Sequence, residues 1–89
     1  MSDPRYRTAR WRKARDYAIR RDGRRCVISG CRVDMRAKGM TQVDHIIEEQ
    51  DGGNFWDPTN HQVICFPHHR AKTAEAQAAR AAVPVSPNA

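Results

Sequence analysis

Residues 65–70 read CFPHHR, and this short stretch decides the fold. It places Cys65 three positions before His68 and follows that histidine directly with His69. Successive side chains on an α-helix point about 100° apart, so the two histidines cannot easily face the same ion or cavity. We therefore expect His68 and His69 to belong to two different sites.

Cys65 and His68 form half of a predicted metal site. The other half is the segment CVISGC, which begins at Cys26 and ends at Cys31. Three thiolates and one imidazole make a Cys₃His ligand set, which is typical of a closed, tetrahedral zinc site. An odd number of cysteines also suits metal ligation better than a disulfide framework. The alternative is that the cysteines are ordinary buried residues and His68 lies on the surface.

The length of the chain makes such a site valuable for stability. With 89 residues, it is long enough for one domain (1–89) but too short for a large apolar core. Hydrophobic residues make up 39% of the chain, and many of them are alanines. Structural zinc contributes on the order of 10 kcal/mol to folding, so we expect zinc to hold the fold together.

The N-terminal part reads as a basic helical arm, residues 1–25. Residues 8–22 carry an apolar stripe at helical spacing, with Trp11 and Ile19 predicted to face inward, and Gly23 ends the pattern.

The remaining chain predicts a knuckle, two strands and a second helix. Residues 41–47 and 61–65 favour β-strands and are separated by a turn-rich loop. The segment from Pro67 favours a helix, because proline suits the first helical turn. We therefore predict a small α+β domain, with a zinc-stapled core over 26–75 and a helix end with a frayed tail over 76–89.

The charge is distributed unevenly along the chain. Residues 1–25 hold ten Lys and Arg against three acids, whereas residues 41–60 hold none against five acids. A basic arm with an acidic centre indicates a polyanion binder whose middle holds a cation. The arginine fork fits phosphate, although a solvated helix face is the alternative. The candidate nucleic-acid contacts are Arg12, Lys13, Arg20, Arg21, Arg24, Arg70 and Lys72.

Four polar residues define the second predicted site. Asp44 and His45 lie on the first predicted strand, Asn60 precedes the second, and His69 lies near the start of the last helix. A β-hairpin folded over that helix would bring all four together.

These segments resemble the HNH nuclease family, whose core is a ββα-metal unit. The resemblance covers roughly residues 20–75, and the segments that carry it are VDHII (43–47), DGGN (51–54), NHQVIC (60–65) and CFPHHRAKT (65–73). Family members commonly hold a second, structural zinc through two pairs of ligands. This sequence differs in placing His68 where cysteine is usual and in spacing Cys26 and Cys31 more widely.

The resemblance implies that His45, Asn60 and His69 are the three family residues. An imidazole accepts a proton near neutral pH, so His45 is the predicted general base for the attacking water. Asp44 and His69 are the predicted ligands of a catalytic ion, which Mg²⁺, Mn²⁺, Ni²⁺ or Zn²⁺ would all suit. Asn60 either positions the loop after His45 or joins the metal ligands, and we favour positioning.

Strand geometry sets a condition on this arrangement. Adjacent side chains of a regular strand point to opposite faces, so Asp44 and His45 converge only under one of two conditions. Either the strand ends irregularly near His45, or a phosphate lies between the two groups.

Among the neighbours, Phe55 and Trp56 are expected to cover the zinc knuckle rather than stack on a base, and His61 is expected to point away from the site.

The predicted function is a metal-dependent DNA endonuclease with weak sequence preference, because no segment suited to reading base edges is visible. A single site cuts one strand, so nicking is expected, and a double-strand break would need a dimer or a second event. Small HNH proteins resemble nucleases encoded beside phage packaging (terminase) genes or in mobile elements. No signal peptide or membrane span is visible, so we expect a cytoplasmic protein of a bacterial or phage-infected cell.

Two other functions fit the same sequence. The first is a non-catalytic, zinc-stapled nucleic-acid-binding module that uses the arginine arm. The second is a protein-interaction adaptor whose charge attracts an acidic partner.

Overall fold

A computed structural model describes residues 3–82 of the chain. Its helices and strands follow in the order α1 (Ala9–Asp22), β1 (Thr41–His45), β2 (His61–Cys65) and α2 (Phe66–Ala82). Short 3-10 turns lie at Pro4–Arg7, Glu49–Asp51 and Pro58–Asn60. This order confirms the small α+β class predicted from the sequence. The predicted frayed tail lies mostly outside the described residues.

Helix α1 begins and ends at the residues that local signals indicate. The Thr8 hydroxyl caps its start by accepting a hydrogen bond from the Trp11 N–H at 3.1 Å. Gly23 ends the helix with φ 68°, a left-handed conformation that glycine adopts without strain. Trp11 and Ala18 are the buried residues of the helix, and Ile19 is half-buried.

The sheet consists of two antiparallel strands paired from Thr41 opposite Cys65 to His45 opposite His61. The prediction of a first strand over 41–47 was two residues too long. Just beyond His45, the Ile46 N–H still donates to the Asn60 main-chain carbonyl at 2.8 Å, but the Asn60 N–H donates to the Asp57 carbonyl instead of to β1. The Asn60 side chain then bonds to Ile47. Its Oδ1 accepts from the Ile47 N–H at 2.9 Å, and its Nδ2 donates to the Ile47 carbonyl at 3.0 Å.

The two helices lie against opposite faces of the sheet near the end of β1. Trp11 of α1 lies with its ring centroid 5.5 Å from that of His45 and 5.2 Å from that of His61. On the other face, Lys72 of α2 donates to the Asp44 carboxylate at 3.0 Å. The strand is regular through His45, so Asp44 and His45 point to opposite faces.

Helix α2 leaves β2 without a connecting loop. It begins at Phe66, one residue before the predicted Pro67, and the Phe66 N–H donates to the Met40 carbonyl at 2.9 Å. Farther along, an exposed ion pair joins Arg80 to Asp51 at 3.6 Å. Over residues 3–82, neither helix combines the length and apolar character that a membrane crossing needs.

Candidate metal sites

The four residues of the predicted zinc site lie together. One donor atom from each of Cys26, Cys31, Cys65 and His68 falls within 4.8 Å of the others. The Cys31 and Cys65 sulfurs are 3.7 Å apart, and the Cys65 sulfur lies 3.0 Å from Nδ1 of His68. None of the three cysteines forms a disulfide. The cluster is therefore compatible with a structural metal site.

The distance between two of the sulfurs is the one expected for ligands of a single tetrahedral ion. Zinc–sulfur bonds of about 2.3 Å at tetrahedral angles separate two sulfurs by about 3.8 Å, close to the 3.7 Å found for Cys31 and Cys65. Burial raises the pKa of the Cys26 thiol, but hydrogen bonds from the Cys65 and Ile28 N–H groups outweigh it and leave the pKa below its ordinary value. Burial raises the pKa of the Cys65 thiol. These hydrogen bonds therefore stabilise the Cys26 thiolate relative to that of a free cysteine.

Main-chain contacts hold the two halves of the cluster together. The Val27 N–H donates to the Val63 carbonyl at 2.8 Å, which fastens the knuckle of residues 26–31 to β2. Within the knuckle, Gly30 adopts φ 77°, and the Cys31 N–H donates to the Ile28 carbonyl at 3.2 Å. The knuckle is therefore a closed turn attached to the strand that ends in Cys65.

Asp44 and His69 line a second site, an open cavity of about 400 Å³. Asp44 is only 7% exposed, and its Oδ2 accepts from the Lys72 ammonium. Its Oδ1 is buried and has no hydrogen-bond partner among residues 3–82. An unsatisfied buried carboxylate oxygen is costly, and a cation is a partner that would remove this cost. Arg15 and Tyr6 also line the cavity.

His45 lies on the other side of Tyr6, outside the cavity that Asp44 and His69 line, and Asn60 does not line that cavity either. The prediction that all four residues come together is therefore wrong for His45 and Asn60. His45 is 4% exposed, with its ring 4.5 Å from that of Phe55. Nε2 lies 2.9 Å from the Phe55 carbonyl oxygen. Because a carbonyl only accepts, Nε2 carries the hydrogen and Nδ1 holds the lone pair. The Tyr6 hydroxyl lies 3.5 Å from this Nδ1 and is the nearest donor to it.

The 3-10 turn Pro4–Arg7 brings Tyr6 to this position. Arg5 hydrogen-bonds to the carboxylates of Asp3 and Glu49, and its guanidinium lies 3.8 Å from the centre of the Phe55 ring. The hydrogen bonds with Glu49 and then Asp3 raise the pKa of Arg5. Burial, followed by the charges of Glu48 and Asp3, raises the pKa of the Tyr6 phenol. Tyr6 lines both the cavity with His69 and a smaller one, of about 220 Å³, with His45.

The Asn60 amide is fully used in holding the loop after β1. Besides its two bonds to Ile47, its Nδ2 donates to the Asn54 carbonyl at 3.1 Å. A Cβ added at Gly53 would overlap the Ile47 carbonyl oxygen, so this loop closes only with glycine there. The amide therefore positions the loop, which is the role favoured from the sequence.

Three neighbours were placed wrongly by sequence reasoning. His61 is 2% exposed, and its Nε2 lies 2.8 Å from the same Phe55 carbonyl that pairs with His45. Phe55 and Trp56 contact Trp11 instead of covering the knuckle. The position of His61 could have been found from strand alternation, because it shares a face with the apolar Val63.

The candidate nucleic-acid contacts fall into two groups. The exposed ones are Arg12, Lys13, Arg20, Arg21, Arg24 and Arg70. Of these, Arg21 also stabilises the fold, because its guanidinium donates to the carbonyls of Pro58 and His61, each at 2.7 Å. Lys72 turns inward to Asp44 and is half-buried.

Comparison with known proteins adds no relative. No family model, curated protein or solved structure matches the chain. The functional interpretation therefore depends on the residues and their geometry.

Proposed function

We propose that the protein is a metal-dependent DNA endonuclease of the HNH type. One observation carries the proposal: Asp44 and His69 line one open cavity, and the Oδ1 of the same Asp44 is buried without a partner among the described residues. This pair couples a carboxylate from β1 with an imidazole from α2, as the HNH resemblance implies. The sites are read from side-chain chemistry and placement, not from fold alone.

Asp44 and His69 would hold a divalent ion through one oxygen and one nitrogen. When bound, that ion neutralises charge on the scissile phosphate and on the departing 3′ oxygen. Two protein ligands leave room for phosphate and water. The mixed donor set suits Mg²⁺, Mn²⁺, Ni²⁺ or Zn²⁺.

His45 is the proposed general base. Because it lies outside the cavity that Asp44 and His69 line, this role requires a phosphate that lies between His45 and Asp44. Its Nε2–H is held by the Phe55 carbonyl, which fixes the ring and leaves the Nδ1 lone pair to accept a proton. The proton comes from the water whose oxygen attacks phosphorus. The bond from phosphorus to the 3′ oxygen breaks, and this oxygen takes a proton from solvent. The products are a 5′-phosphate and a 3′-hydroxyl.

The Cys₃His cluster is the proposed structural Zn²⁺ site. It joins the knuckle to the first turn of α2 through His68, and His69 is the next residue. Zinc binding would therefore fix the direction in which the His69 side chain projects from the helix. In this proposal, the adjacent histidines serve two different metal sites, His68 the structural one and His69 the catalytic one.

The exposed basic residues supply the proposed affinity for DNA. Six of the candidate contacts are exposed, five on or just after α1, and the chain carries a net charge of +6. Phosphate contacts of this kind bind without regard to sequence and weaken as salt increases. We therefore expect cleavage with weak sequence preference, and nicking as its first product.

Plasmid cleavage tests the proposal. Supercoiled plasmid is incubated with the zinc-loaded protein and each of Mg²⁺, Mn²⁺, Ni²⁺ and Zn²⁺, beside the variants Asp44→Asn, His69→Ala and His45→Ala. We expect nicking by the wild type and a loss of about 100-fold or more in each variant, the usual contribution of a general base or a metal ligand. Thr73→Ala, an exposed change on the same helix, serves as the control and should cut normally.

The burial of His45 favours a second candidate, a non-catalytic nucleic-acid-binding module. A base that is 4% exposed, with the Tyr6 hydroxyl 3.5 Å from its Nδ1, has little access to water. If the plasmid stays intact with every ion while a gel shift shows binding, the module replaces the nuclease. If neither cutting nor a gel shift is found, the remaining candidate is the protein-interaction adaptor.

A further inference from the structure

Lys72 contacts both ends of the proposed site. Its ammonium lies 3.0 Å from the Asp44 Oδ2 and 2.6 Å from the His45 carbonyl oxygen. The side chain of Asp44 is 9% exposed and that of Lys72 is 31% exposed, so the pair is partly shielded from water. One carboxylate oxygen is thereby occupied, and only the buried Oδ1 is left for another partner.

We propose that Lys72 is a positioning residue that keeps the Asp44–His69 site a weak cation binder until a phosphate is present. This inference rests on the proposed function, because it concerns the same site. Lys72 was predicted from the sequence as a phosphate contact, and the structure gives it a different partner.

The charges around the cavity explain why a cation alone binds weakly. Asp44 supplies one negative charge, and the Lys72 ammonium beside it cancels that charge. Arg15 lines the same cavity, with its guanidinium 3.2 Å from the Thr41 carbonyl oxygen, and adds a second positive charge. Asp44, Lys72 and Arg15 together carry one net positive charge, which opposes the binding of a divalent ion.

A bound phosphate changes this balance. Its negative charge offsets the charges of Arg15 and Lys72 and provides oxygen ligands that the protein lacks. The ion and the phosphate then favour each other's binding, which is reciprocal coupling between two ligands. The consequence is a site that holds its ion mainly when the substrate is in place.

Lys72 also determines how many carboxylate oxygens of Asp44 can bind an ion. By holding Oδ2 and the His45 carbonyl, the ammonium joins the end of β1 to the second turn of α2, where His69 lies one turn earlier. Asp44 therefore offers one oxygen rather than two. Removing the Lys72 charge would free the second Asp44 oxygen, and it would also make the electrostatic potential of the site more negative.

Isothermal titration calorimetry with Mn²⁺ tests the proposal on the zinc-loaded full chain without DNA. The key variant is Lys72→Gln, which removes the charge and keeps a donor for the His45 carbonyl. We expect Lys72→Gln to bind Mn²⁺ about tenfold more tightly than the wild type, because the opposing charge is gone. Lys72→Arg, which keeps the charge, and Lys38→Met, a change at an exposed lysine, should bind like the wild type.

The result that overturns the inference is equal Mn²⁺ affinity in Lys72→Gln and the wild type, with Asp44→Asn abolishing binding. Lys72→Met is the second uncharged variant, and it should show the same gain as Lys72→Gln. Far-ultraviolet circular dichroism and zinc content establish that each variant is folded. Failure of the proposed function looks different, because Mn²⁺ binding would then be unaffected by Asp44→Asn and the wild type would not cut DNA.

Discussion

The Tyr6 hydroxyl lies 3.5 Å from Nδ1 of His45, over the one ring nitrogen that can accept a proton. The opposite nitrogen is already held by the Phe55 carbonyl at 2.9 Å. The Tyr6 ring also contacts the rings of Trp11 and Phe55, with centroids 5.0 and 5.3 Å apart. The N-terminal turn is therefore a cover over His45.

Chemical modification of histidine tests this cover. Diethyl pyrocarbonate reacts with accessible, unprotonated imidazole nitrogens, so His69 should be modified in the wild type and His45 protected. We expect Tyr6→Ala to increase the modification rate of His45 several-fold, as read by peptide mass spectrometry. Tyr17→Ala removes an exposed tyrosine from α1 and should leave the rate unchanged. Equal rates for His45 and His69 in the wild type would contradict the cover.

The attachment of the cover should weaken in acid. Hydrogen bonds from Arg5 lower the pKa of Asp3 and of Glu49 from their ordinary values of 3.8 and 4.5. A lowered pKa in the folded state means that the stabilisation is complete above the ordinary value and is lost as the pH falls through the lowered one. The ring resonances of Tyr6 in NMR spectra should therefore shift as the pH falls below about 4.5. In Arg5→Gln this acid-dependent shift should be absent, and a shift that persists there would count against the ion pairs as its cause.

Local signals predicted the elements but not the contacts that complete the site. The limits of α1 follow from a capping threonine and a terminal glycine, and the Cys₃His cluster follows from ligand spacing. The bond between Arg5 and Glu49 joins residues 44 positions apart, and no periodicity encodes it. The inward turn of Lys72 likewise depends on how α2 crosses β1. Such contacts are set by tertiary structure, which a local pattern does not specify.

Removal of the metal from the Cys₃His cluster should unfold the protein. Structural zinc supplies on the order of 10 kcal/mol in small domains, more than a core of this size provides. We expect Cys65→Ser, or a strong chelator added to the wild type, to abolish the cooperative thermal transition seen by circular dichroism. Native mass spectrometry should find one zinc per wild-type chain. Ser29→Ala, an exposed change within the same knuckle, should keep both the zinc and the transition.

Asn60 should matter for stability as well as for cutting. Asn60→Ala leaves the Ile47 N–H and two carbonyl groups without their side-chain partner. Unsatisfied groups of this kind cost about 1–3 kcal/mol, so the free energy of unfolding should fall by about that amount. Urea denaturation of the zinc-loaded protein measures it. Asn54→Ala loses one exposed hydrogen bond to the Trp56 N–H and should cost less. An equal loss in both variants would show that the Asn60 amide has no special role.

Arg20 and Arg21 are adjacent but should differ in what they do. Both are exposed, but Arg21 also donates to the Pro58 and His61 carbonyls, each at 2.7 Å. Arg20→Ala should therefore weaken DNA binding without lowering the thermal midpoint, and it should reduce the slope of log affinity against log salt by about 0.9. Arg21→Ala should lower the thermal midpoint, because the turn before β2 loses two hydrogen bonds. Fluorescence anisotropy with a labelled duplex and thermal denaturation separate the two effects, and an unchanged salt slope in Arg20→Ala would exclude it as a phosphate contact.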